Sequence, residues 1–302
     1  MSKDIISSKL RKLVQRRWPA IRVAWLRFPE ASSAPGEKPA GELFELSDLR
    51  AEVQKTSGSH PREIDNPPRS VYQNLLKESF FGIQKSCNLL DAALTADAAD
   101  KRNCAISIGY LAAFTAAQSV LGFLGIAFVR LEGGDPDHLV DCFGRKATMS
   151  SDSKGADELL WLLDLTTSVR HRELWRLFQK AIDRTYFQDD VLPSSLRTHL
   201  LGFEAERCGH ARNRLHYGVA FWPYDDPVLP HYNRYIPYRP FTLDRICSGL
   251  IDCESPEFSL CLALSIVHTG GQMLRTLSSG SNAFMAEYEI IRPSLFRFYE
   301  YQ

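Results

Sequence analysis

Arg212 and His216 stand four residues apart in the string ARNRLHYG, Ala211 to Gly218. In a helix that spacing places two side chains next to each other on one surface. A guanidinium holds a phosphate oxygen through parallel hydrogen bonds. An imidazole titrates near neutral pH, so it takes or delivers a proton. The pair therefore suits phosphodiester chemistry without a metal. The 2′-hydroxyl of RNA would attack the adjacent phosphorus, His216 would move the proton, and Arg212 would stabilise the developing charge. Asn213 flanks the pair and completes the candidate catalytic set. Arg207, His210 and Arg214 surround it, and together with Arg234 and Arg239 they are the expected substrate contacts. A solvated helix face carries the same residue types, so the assignment depends on the elements that position them.

The chain has 302 residues, with 36 Lys and Arg against 36 Asp and Glu. This balance argues against a basic protein that coats nucleic acid regardless of sequence. It is global and not local: from Arg197 to His216 there are four Arg and three His against two Glu. A neutral chain with one basic site fits a selective cutter or binder. Seven Cys without a CxxC pair argue against a disulfide framework and against a four-Cys zinc site. The first residues, MSKDIISSKLRKLVQRRW, contain no apolar signal core, and the expected location is the cytoplasm.

Apolar spacing predicts a mainly helical protein. Val71, Leu75, Leu76, Phe80, Ile83, Cys87, Leu90 and Leu94 recur at three- and four-residue steps and set a helix over 71–94. The uncharged run from Cys104 to Val129 sets the second, over 102–131, with Gly133 to Pro136 as its stop. It is long enough to cross a bilayer, but its Ser and Gln residues fit a helix buried all round in a bundle. The third helix is expected over 157–187, with a stripe of Leu174, Leu177, Phe178, Ile182 and Tyr186, and the fourth over 194–219, capped by Ser194 or Ser195. A last helix is expected over 256–278. WPAIRVAWLRF at 18–28 reads as a short strand, 29–42 and 56–69 as loops, 43–55 as a short helix, and 132–157 mostly as loop. Strands are expected only near the ends.

On a wheel, the fourth helix gathers Leu196, Leu200, Phe203, Ala211 and Leu215 on one side, with Gly209, Arg212, Asn213 and His216 opposite. Arg207 and Arg214 fall near the apolar side, where pairing with acids such as Asp164 or Asp183 would relieve the cost of burial.

The string ARNRLHYG resembles the signature of HEPN domains, the helical domains named for higher eukaryotes and prokaryotes nucleotide-binding. IGYLAAFTAAQSVLGFLGI, Ile108 to Ile126, is similar to that family's Ala-rich core helix. The resemblance covers 71–220. It implies an antiparallel helical bundle over 71–220, an N-terminal extension over 1–70, and an aromatic segment plus a C-terminal helix packing on the bundle over 221–302. It further implies a metal-independent endoribonuclease that uses Arg212 and His216, has no cofactor, and acts as an effector or toxin in antiviral defence or a toxin–antitoxin system. With one motif in the chain, it implies a homodimer or a HEPN-containing partner, and a possible antitoxin or defence-complex partner. The interval between Arg212 and His216 is shorter than is usual in the family. The alternative expectation is a non-catalytic HEPN-like module that binds a nucleotide, an RNA or a partner protein.

Other residues offer less. In 221–241, Phe221, Trp222, Tyr224, Tyr232, Tyr235 and Tyr238 alternate with His231, Arg234 and Arg239, a composition that stacks on unpaired bases or, equally, stiffens a loop. Arg170, His171 and Arg172 form a second basic run that would reach phosphates near His216 if the helices are adjacent. His199 and His210 lie without Cys or carboxylates at ligand spacing, so no metal site is expected. Cys253 and Cys261 near His268 are a weak nucleophile candidate. A membrane-associated protein using 104–129 is the remaining reading, and no membrane partner is expected.

Overall fold

The computed structural model describes residues 16–26, 62–65, 69–99, 101–129, 138–143, 159–164, 171–203, 256–281, 284–286, 288–289 and 292–293. The described part is mostly helical. Its order is β1 (Arg16–Arg17), α1 (Trp18–Trp25), β2 (Arg62–Asp65), α2 (Arg69–Ala98), α3 (Arg102–Phe123), β3 (Ile126–Val129), β4 (His138–Asp141), β5 (Leu159–Asp164), α4 (His171–Arg184), β6 (Thr185–Tyr186), α5 (Ser194–Gly202) and α6 (Pro256–Ser278).

Three helices form the centre. α2 and α3 pack along each other, and α6 packs chiefly on α3 and also on α2. Among the described residues, 71–219 supply two of these central helices, and the third is α6. The glycine contacts give the directions. Gly82 abuts Ser119 while Gly122 abuts Ser79, so α2 and α3 run antiparallel. Gly109 faces Leu260 while Gly270 faces Val120, so α6 runs parallel to α3. One buried cluster extends from Trp18 to Phe284.

The reciprocal Gly–Ser contacts explain how α2 and α3 come so close. Each serine turns its hydroxyl back onto its own helix, Ser79 to the Leu75 carbonyl (2.7 Å) and Ser119 to that of Thr115 (3.0 Å). The hydroxyls are satisfied locally, and the facing glycines leave room for them. A β-carbon at Gly82 would strike the Ser119 hydroxyl. Gly82→Ala is expected to destabilise the protein by about 1–3 kcal/mol, measured by urea unfolding, with Ser119→Gly in the same chain recovering most of the loss. An unchanged midpoint in the single variant would remove this account of the interface.

The same back-bonding handles the polar residues of α6. Ser265 donates to the Cys261 carbonyl (2.7 Å) and Thr269 to that of Ser265 (2.9 Å), inside a helix buried on every side from Phe258 to Val267. One helix, Asn103–Phe123, is long and apolar enough to cross a membrane by length and composition, and 61% of its apolar window is buried against the rest of the protein.

Several elements differ from the sequence expectation, each for an identifiable reason. Residues 18–25 form helix α1 and not a strand. Pro19 occupies its first turn, and Trp18, Ile21, Ala24 and Trp25 share the buried face. α3 ends at Phe123 and not near 131, because Gly125 adopts a left-handed backbone (φ 75°), where a side chain would strike the Phe143 ring. The expected loops at 56–69 and 132–157 contain β2 and β4, and residues 159–164 form β5, not the start of a helix. These strands build an antiparallel sheet in the order β2-β5-β4-β3, so strands are not confined to the ends of the chain. LLWLLD has no helical stripe, and β5 lies between two neighbours, where a continuous apolar run is at home. α4 therefore begins at His171. Its stripe of Leu174, Leu177, Phe178 and Ile182 is buried, while Tyr186 falls in β6 and is exposed.

α1 is fastened at both ends. The Trp18 indole donates to the Thr276 hydroxyl (3.0 Å), Arg22 Nε to the Thr276 carbonyl (2.6 Å), and the Trp25 indole to the Phe123 carbonyl (2.6 Å). Just before α1, Arg16 forms a buried ion pair with Asp141 and donates to the Leu124 carbonyl (2.7 Å).

Candidate functional site

The candidate residues Arg207, His210, Arg212, Asn213, Arg214, His216, Arg234 and Arg239 lie outside the described residues. What the structure describes is the pair of helices, α5 and α6, between which they fall in sequence. α5 was expected to run through 219, but it ends at Gly202, and Phe203 is extended (φ −77°, ψ 147°). The break follows from the chemistry at that point. Gly202 is exposed and a poor helix former. The Gln179 amide donates to the carbonyls of Leu201 (3.3 Å) and Phe203 (2.7 Å), which supplies hydrogen bonds that a continuing helix would have made. The wheel relating Leu196 and Leu200 to Arg212 and His216 therefore does not carry across Phe203. The N-cap is Pro193, not a serine, and the Ser194 hydroxyl meets Asp189 at 3.4 Å instead.

α5 runs antiparallel to α4. Arg197 donates to the carbonyls of Ile182 (3.3 Å) and Asp183 (2.9 Å), Gln179 holds Leu201 and Phe203, and the Phe203 ring stands edge-on to Trp175 at 5.5 Å. The partners on α4 step back toward its N-terminus as α5 advances. α6 enters at the same end, with Phe258 at 6.4 Å from Phe203 and Leu260 against Gly109. Phe203 and Phe258 thus lie together, with Phe203 against Trp175 of α4.

A cluster of rings occupies that end. His171 stacks on Phe114 at 4.2 Å, and its Nδ1 lies 3.0 Å from the Tyr110 hydroxyl. The buried Trp175 indole donates to the same hydroxyl at 3.1 Å. Arg172 follows directly and meets the buried Glu173 carboxylate at 3.1 Å. Of the expected basic run, Arg170 lies outside the described residues. Of the acids considered as partners for Arg207 and Arg214, Asp183 lies near Lys180 (3.8 Å) and Arg184 (3.7 Å). The Tyr110–His171–Trp175 group was not visible in the sequence. Only the four-residue step from His171 to Trp175 hinted at it, because Tyr110 is remote along the chain.

Two further histidines are shifted by burial. His199 on α5 is held below its ordinary value, with Nε2 buried and without a hydrogen-bond partner. His268 on α6 is pushed down to about 4 from 6.5. A depressed histidine contributes stability that is complete above the unfolded value and lost as pH falls. Stability is therefore expected to drop by up to about 3 kcal/mol between roughly pH 6.5 and pH 4. His268→Gln should flatten this part of a pH series of urea unfolding curves, and an equally steep fall in the variant would assign it elsewhere.

Cys87, Cys142 and Cys261 are buried and Cys104 is exposed, all as free thiols. Burial pushes the Cys87 thiol up to about 12 and raises that of Cys142, which makes both poor nucleophiles. Cys253 lies outside the described residues. Among the described residues no three His, Cys, Asp or Glu side chains gather where they could hold a metal ion. Comparison with protein-family models, with curated proteins and with solved structures finds no match for this chain.

Proposed function

We propose that this protein is a metal-independent endoribonuclease of HEPN type. Arg212 and His216 form its site, and Asn213 stands beside them. The observation that carries the reading is the ARNRLHYG string, which pairs a phosphate-holding group with a proton carrier at a helical interval. The mostly helical character of the described residues is compatible with it. Arg207, His210, Arg214, Arg234 and Arg239 serve as substrate contacts in this reading. The biological role that goes with it is an RNA-cutting effector or toxin, working as a homodimer or with a HEPN-containing partner.

The reaction makes a definite demand on the products. As the 2′-oxygen bonds to phosphorus and the bond to the 5′-oxygen breaks, one fragment keeps a 2′,3′-cyclic phosphate and the other gains a 5′-hydroxyl. The test is end-labelled single-stranded RNA incubated with the purified protein in EDTA. Cleavage that persists in EDTA and leaves those two ends supports the reading. Cleavage abolished by EDTA, or leaving 5′-phosphate ends, rejects it. The shorter Arg-to-His interval favours a second reading, in which the protein binds RNA without cutting it. Tight binding with no cleavage would select that one.

A further inference from the structure

We draw no further inference here: the strongest candidate, the uncharged face of α3 that leaves Cys104, Leu111 and Gln118 exposed, is a helix surface for which nothing in the described residues shows what covers it.

Discussion

Asp141→Ala is expected to lower stability by about 3–5 kcal/mol, among the largest effects of any single substitution in the described residues. Asp141 and Arg16 are both almost fully buried, with side chains 2% exposed, and pair directly. Arg16 also donates to the Leu124 carbonyl, and Asp141 accepts from the Phe143 backbone N–H (3.1 Å). The pair therefore fastens three separate pieces: the lead into α1, the end of α3 and strand β4. Removing the carboxylate leaves a guanidinium without its counter-charge in an apolar interior, which costs far more than the pair contributes net. The midpoint of thermal unfolding should fall by on the order of 10 °C. The double substitution Arg16→Met with Asp141→Leu removes both charges and should recover most of the loss, because no buried ion is left unpaired. A melting temperature within about 2 °C of wild type for Asp141→Ala would show that the pair is accessible to water and does not fasten the fold.

The difference between that pair and the helices shows what a sequence can disclose. α2 and α6 were legible because their apolar residues recur with the helical period over many turns, and the boundary of α6 at Pro256 is set by a residue that favours a first turn. Errors arose where one residue overrides a periodic run. Gly125 ends α3 ahead of the more conspicuous Gly133-Gly134, because only the packing of Phe143 against it shows that its backbone is left-handed. Leu159 to Asp164 is too short to reveal a period, and its strand pairing depends on β2 and β4, far away in the chain. Gly202 gives a weak sign of a break, and the Gln179 amide that completes it is on another helix. The candidate site divides in the same way. Arg212 and His216 stand four residues apart, so the expectation of a pair rests on local spacing alone. The Trp175–Tyr110–His171 chain joins two helices across a span that no local pattern covers.

His216→Ala should reduce the rate of RNA cleavage by about 10²–10⁴-fold, the range expected for loss of a general acid–base group. The reasoning follows from what each group does in the reaction. A ribose hydroxyl is a weak nucleophile at neutral pH, and the proton it carries must leave as its oxygen bonds to phosphorus. His216 is the residue assigned to that transfer, so its loss should appear in kcat with little change in KM. In the proposed reaction Arg212 would contact the phosphate before and during bond formation, and more strongly as negative charge builds. Arg212→Ala should therefore affect both constants, and Arg212→Lys should recover binding better than turnover, because one ammonium cannot supply two parallel donors. A loss in kcat alone marks a proton carrier, and a loss in both constants marks a charge stabiliser. Full activity in His216→Ala would remove the catalytic assignment of this motif and leave the RNA-binding reading to be judged on affinity alone.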